Sequence, residues 1–328
     1  MSATARPSRP LPVPPPASVG LHRPLLALAL AMAVLAPVSA AGLVVDPREL
    51  AGAPVWAKPL KFSLSVLVYS VSLAWLLTLL QRGRRIAWWA GTATAVLLGV
   101  EMVIIVGAAA AGVRSHFNVS TPLATTLWSA MAASIAGAWV AALLVAALLL
   151  RAPLGDRART LAVRAGLLIA LLGMALGFLM TSPTPAQLAD FRGVAGAHTV
   201  GAADGGPGLP LVGWSTVAGD LRIPHFVGMH ALQALPLALI AIELLSRRVT
   251  AFRDVRVRVR LVAVAAGAYA AMVALVTWQA LRGQSIVQPD LLTLSAAAAI
   301  AVAALVAVAA ILAVARIRAM AEPAAALA

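Results

Sequence analysis

The sequence predicts an all-α, polytopic transmembrane helix bundle of eight spans with both termini inside. Three observations predict it. Of 328 residues, 62% are hydrophobic and only 11% charged, where a soluble domain carries about a quarter. Eight apolar segments reach the roughly 20 residues that a helix rising 1.5 Å per residue needs to cross a bilayer. The arginines gather in alternate connections between those segments.

Residues 1–23 are rich in Pro, carry Arg6 and Arg9, and read as a disordered cytoplasmic tail. The spans follow near 24–45, 60–80, 86–112, 123–150, 161–181, 223–246, 261–281 and 291–315, within a transmembrane domain of residues 24–318. Residues 319–328 form a short C-terminal tail. The first span reads as an uncleaved anchor; the alternative is a signal peptide, since Leu25 to Leu35 is followed by the small-residue stretch Pro37-Val-Ser-Ala-Ala41.

Of the 25 Lys and Arg, 18 fall on the side of the tail and of the connections 81–85, 151–159 and 247–260. The positive-inside rule assigns that side to the cytoplasm. The other seven cations, Arg48, Lys58, Lys61, Arg114, Arg192, Arg222 and Arg282, face six acids on the outer side. The formal charge of +14 is therefore a topology signal, and nucleic acid is not an expected partner. The bilayer is, and the loop 246–260 could in addition hold anionic lipid. Trp56, Trp128, Trp214 and Trp278 near one boundary and Trp88 with Trp89 near the other fit membrane anchoring.

Whole classes of chemistry are excluded. The chain has no Cys, hence no disulfide, thiolate catalysis or iron–sulfur cluster. Its only lysines, Lys58 and Lys61, sit in no Gly-rich phosphate loop, and neither H-E-x-x-H nor G-x-S-x-G occurs. No enzymatic activity is assigned.

An offset of 167 residues brings Pro122 and Thr126-Leu127 onto Pro289 and Thr293-Leu294, Arg114 close to Arg282, and Lys58 onto His225. That spacing suggests a parallel 4+4 repeat of the kind transporters use.

The polar residues converge on the outer side. His116 follows span three, His198 lies in the long loop after span five, and His225 and His230 open span six. At five residues apart, His225 and His230 do not share a helix face; His225 faces with Met229 and His230 with Gln233. Glu101 lies in the middle of span three, and an ionisable residue there is a functional candidate by default. Pro236 should kink span six beside the histidines, and the loop 201–210 adds mobile chain above it.

These residues support three readings. A redox or metal role, the leading one, uses His116, His198, His225 and His230 to hold haem b, or His225 with Met229 in a copper site. A small-molecule transporter or permease is the second, with Glu101, Arg114, Asn118, Arg222, Gln233 and Arg282 lining a substrate or proton path and Gln284 beside it. In the third, structural or signalling, reading the outer histidines bond loop carbonyls and carboxylates, and Glu101 bonds Tyr69, Tyr269 or Ser65.

The stretches Trp56-Ala-Lys-Pro-Leu-Lys-Phe62, Arg114-Ser-His-Phe-Asn118 and Asp220-Leu-Arg-Ile-Pro-His-Phe-Val-Gly-Met-His-Ala-Leu-Gln233, with Gly213-Trp-Ser-Thr before the last, together resemble those of a family of uncharacterised bacterial multi-pass membrane proteins. The resemblance spans roughly residues 45–290. It implies a bacterial inner (cytoplasmic) membrane protein and adds nothing about chemistry.

Overall fold

A computed structural model describes residues 20–325, with side chains to residue 320; most of the Pro-rich tail and the end of the C-terminal tail lie outside the described residues. Long helices dominate. They are α1 (Arg23–Val45), α2 (Ala57–Thr78), α3 (Arg84–Ala110), α4 (Pro122–Arg151), α5 (Arg157–Leu176), α9 (Val255–Leu281) and α10 (Leu291–Ala325), with a bent pair, α7 (Arg222–Met229) and α8 (Ala231–Leu245), between α5 and α9. Seven helices are long and apolar enough to cross a membrane, and the bent pair passes the same test when taken together. A short α6 (Pro185–Ala189) lies in the loop after α5, and two small hairpins, β1–β2 (Glu49–Leu50, Ala53–Pro54) and β3–β4 (Thr199–Val200, Gly219–Asp220), complete the fold.

The ends of these helices follow from local chemistry. Thr121, Asp156 and Asp254 each accept a backbone N–H of the following first turn, at the starts of α4, α5 and α9, which satisfies donors that the helix itself cannot. Gly83 supplies the left-handed residue (φ 70°) from which α3 starts. His22, assigned to the tail by composition, is instead the N-cap of α1: its Nδ1 accepts the Leu25 N–H, and the ring is buried against Trp88.

The helices form two groups. In the first, α1 packs on α2 and α3, α2 on α3, and α3 on α4; in the second, α5 packs on α7, α8 and α9, α7 and α8 pack on α9, and α9 on α10, with α4 against α5 joining the groups. The core is unusually rich in alanine, with Ala90, Ala95, Ala138, Ala141, Ala142, Ala146 and Ala170 all buried. Small side chains let helix backbones approach closely where lipid offers no competing hydrophobic drive. The tightest crossing is Gly173 on α5 against Gly228 on α7, where a β-carbon on Gly173 would stand 2.3 Å from the Gly228 carbonyl carbon. Gly228 thus admits another helix.

The expected kink in span six is present, but not at Pro236. The pair α7–α8 bends by 43° at His230, six residues earlier, while Pro236 stays inside α8. Tyr269 of α9 donates to the Val227 carbonyl at 2.6 Å, just before the bend, and so fastens it.

The connections alternate between the two ends of the bundle. One end carries 79–83, 152–156 and 246–254; the other carries the β1–β2 hairpin, the 111–121 loop, the 181–221 loop and the 282–290 turn.

Candidate functional site

The second end is built as a roofed chamber. The 181–221 loop is not loose chain: Val119 donates to Gly193 and Ala195 to Phe117, linking it to the 111–121 loop, while Leu209 donates to Trp214, Thr216 to Pro207 and Leu221 to His198. Gln187, in a capping box with Thr184, also bonds both the N–H and the carbonyl of Gly196. Gly52 of the β1–β2 hairpin meets Gly205 so closely that a β-carbon there would stand 2.6 Å from the Gly205 oxygen.

Beneath this roof lies a cavity of about 600 Å³. Its walls come from the first two turns of α2, the last turns of α3, both loops and the start of α7. Lys58, Lys61, Arg114, Arg222, His116 and His198 line it together with a single carboxylate, Asp204, while Phe62, Ile105, Leu50 and Pro54 supply apolar wall.

The cations are held in different ways. Lys61 donates to the Val212 carbonyl at 2.9 Å, and Arg222 donates to the next carbonyl, that of Gly213, and to Asp220. A point one bond outward from the Gly213 Cα is 3.7 Å from both Lys61 Nζ and Arg222 Nη1, so two like charges converge there. Asp220 is fully buried, also accepts the Ser215 and Arg222 backbone N–H groups, and balances the Arg222 charge. Lys58 has no such anchor: its ammonium stands 5.7 Å from the centre of the Phe62 ring and makes no hydrogen bond or ion pair among the described residues. Lys58 and Lys61, three residues apart, share a face of α2.

His116 stands between the cavity and the interior of the bundle. Its Nδ1 meets Ser115 Oγ at 3.1 Å, and its Nε2 lies 3.4 Å from Glu101 Oε1. Phe62, Phe117 and Trp128 surround the ring. Burial, aided by the positive charge of Lys58, drives its pKa well below 6.5, so the imidazole is neutral near pH 7. Glu101 is 1% exposed. The 3.4 Å contact is too poorly aligned to count as a hydrogen bond, and neither carboxylate oxygen has another partner among the described residues. Neither Tyr69, Tyr269 nor Ser65 bonds it, since Tyr269 is committed to Val227.

His198 and Asp204 form a second couple, with 2.7 Å between Nδ1 and Oδ2. Burial lowers the His198 pKa. Burial would raise that of Asp204, but the His198 ring and the backbone N–H groups of His198 and Thr199 outweigh it and hold the carboxyl well below the ordinary range. The resulting state is a carboxylate accepting from a neutral imidazole. The Phe117 ring lies near both histidines, 6.0 Å from His116 and 4.9 Å from His198 between centroids.

Backbone strain concentrates at the same place. Among the described residues, Ala51, Phe117 and Leu211 are the non-glycine positions with positive φ, at 53°, 60° and 63°, and all three line the cavity. Each costs about 1–2 kcal/mol relative to a relaxed backbone, and such strain gathers at functional sites.

The other candidates fall elsewhere. His225 donates from Nδ1 to the Gly173 carbonyl at 2.8 Å and packs on Gly177, in the turn just after α5; His230 stacks on Phe226 at 4.1 Å and bonds the Phe226 carbonyl. Neither lines the cavity, nor does Met229. Gln233 bonds Ser72 and so ties α8 to α2, Asn118 bonds Ser120 and the Arg114 carbonyl within its own turn, and Arg282 pairs with Asp290 over the Trp278 ring, with Gln284 bonded to Thr293. Among the described residues no group of three or more His, Asp or Glu has the arrangement to hold a metal ion.

Sequence reasoning singled out His116, His198, Arg114, Arg222 and Glu101 here but passed over Lys58, Lys61 and Asp204. The signal for the lysines was available: they are the only two in the chain, one helical turn apart, on the side where cations are scarce. No protein-family model, curated protein or solved structure matches this chain.

Proposed function

We propose that the protein is a small-molecule permease of the membrane that binds an anion, a carboxylate or phosphate compound of modest size, in the cavity under the loop roof. The observation that carries this reading is the convergence of Lys58, Lys61, Arg114 and Arg222 on one partly apolar chamber with a single carboxylate in its wall. Lys58 is the anchor, because it alone of the two lysines has no acceptor in place among the described residues. A charge-assisted hydrogen bond in a partly enclosed, partly apolar site is among the stronger polar contacts available.

Glu101 gives the reading its transport step. A carboxyl group in mid-span without partners is costly and needs an explanation. Here it lies beneath the anion site with His116 between them, so that a proton moving with the substrate would pass from the cavity to His116 and on to Glu101. The redox alternative, with haem b or copper, has less behind it: His116 and His198 line the cavity whereas His225 and His230 bond backbone carbonyls outside it.

The placing in a bacterial inner membrane, eight spans and inward termini also belong to this proposal. The arginine asymmetry supports the orientation, and the shared packing order of the two helix groups supports a parallel 4+4 repeat. The family resemblance supports the bacterial origin.

Proteoliposomes of the full chain test the transport step. Under an imposed pH gradient, uptake of acetate, succinate or inorganic phosphate should saturate, and Glu101→Gln should abolish it while the same anion still raises the melting temperature. Uptake by Glu101→Gln at the original rate would overturn the proton path.

A further inference from the structure

The arginine-rich end of the bundle carries a second cleft, far from the cavity in the chain's topology and built from different residues. It lies between the start of α5 and the start of α9, holds about 860 Å³, and is lined by Arg157, Arg253, Arg256 and Arg260 with Asp156, Asp254 and the apolar Val255 and Val259. We infer that this cleft is a binding site for the phosphodiester headgroup of an anionic membrane phospholipid.

The helical period explains how the arginines gather. Residues 255–260 alternate Val and Arg, a spacing that would throw successive arginines to opposite sides of a helix at 100° per residue. Arg256 and Arg260, four apart, share one face of α9, and Arg253, in the turn just before the helix starts, lines the same cleft. Arg258 points the other way. It is 14% exposed and donates to Asp156 Oδ2 at 3.0 Å and to the Phe252 and Arg253 carbonyls, which pins α9 to the start of α5 and sets the width of the cleft.

That division of labour leaves charge over. Asp156 is occupied by Arg258 and by the Arg159 N–H, and Asp254 by the Arg256 N–H. Arg157, Arg256 and Arg260 are exposed, and their side chains make no hydrogen bond or ion pair among the described residues; Arg253 spends only Nε, on the Ser246 carbonyl. Guanidinium forks match phosphate oxygens in pairs. The occupant is a lipid and not a soluble anion for a geometric reason: the cleft opens at the ends of two membrane-spanning helices, where phosphodiester groups lie, and Val255 and Val259 carry its wall onto the apolar surface of α9. Basic pockets between spans at this level suit anionic headgroups.

The test uses the full chain in nanodiscs and in detergent. Wild-type protein purified in a neutral detergent should retain added dioleoyl phosphatidylglycerol, seen as bound-lipid peaks by native mass spectrometry, in preference to dioleoyl phosphatidylcholine. Each arginine near an anionic headgroup is worth about a fivefold change in affinity, so Arg256→Gln/Arg260→Gln should weaken retention about 25-fold. Arg84→Gln/Arg85→Gln, at the same end but outside the cleft, should weaken it less than about twofold. Equal loss in both double variants would overturn the proposal in favour of diffuse charge. Displacement of the lipid by millimolar inorganic phosphate would overturn it in favour of a soluble anion. A loss of fold in the cleft variant is read separately, from its melting temperature in phosphatidylcholine nanodiscs.

Discussion

His116 Nε2 lies 3.4 Å from Glu101 Oε1, joining a buried imidazole in the 111–121 loop to a buried carboxyl group in the middle of α3. Because the contact is not an aligned hydrogen bond and neither carboxylate oxygen has another partner among the described residues, the couple costs the fold more than it returns. Glu101→Gln should therefore leave the melting temperature unchanged or raise it, since removing an uncompensated buried charge is seldom destabilising. Circular dichroism melts in detergent check this, and a fall of several degrees would mean that Glu101 is a structural strut.

The histidines of the cavity make stability depend on pH. Burial lowers the pKa of both His116 and His198 below that of the unfolded chain, about 6.5. The unfolded state then binds more protons than the folded one below that value, so their contribution is complete above pH 6.5 and is lost as the pH falls. Melting temperature should be flat from pH 7 to 8 and decline from pH 6.5 to 5, and His116→Gln should make that decline shallower.

Asp220 holds Arg222 in the cavity wall while itself fully buried. Asp220→Asn leaves a partly buried guanidinium without its counter-charge and should cost about 3 kcal/mol. Chemical denaturation in mixed micelles measures it. A cost under about 1 kcal/mol would show that the Gly213 carbonyl suffices to hold Arg222.

At the Gly173–Gly228 crossing the neighbour is backbone and cannot yield, whereas a β-carbon on Gly177 would meet only the His225 ring, at 2.9 Å. Gly173→Ala should therefore destabilise by about 1–3 kcal/mol and Gly177→Ala by less, because the ring can yield at the cost of straining its bond to the Gly173 carbonyl. Paired melting curves decide the order.

Long-period features of the fold are legible in the sequence, and convergence between distant segments is not. Twenty-residue apolar runs announce the helices because each lies in one continuous stretch. The bend in span six was expected from Pro236, yet it falls at His230, where Tyr269, 42 residues from Val227, takes up a backbone carbonyl. Likewise His116 and His198 were expected in one cluster with His225 and His230, but helical spacing cannot tell that α5 claims His225 through the Gly173 carbonyl. Lys61 finds its acceptor at Val212, 151 residues on. Only a folded roof brings those two together.

The central claim, an anion site anchored on Lys58, is tested most directly by the affinity of the purified chain for the small anion that most raises its melting temperature, among acetate, succinate and inorganic phosphate. Titration calorimetry should give a dissociation constant that weakens about ten- to a hundredfold in Lys58→Gln, the worth of one hydrogen bond to a charged group, and that weakens with added chloride. Unchanged affinity in Lys58→Gln, or no binding of any of these anions by the wild type, would contradict it.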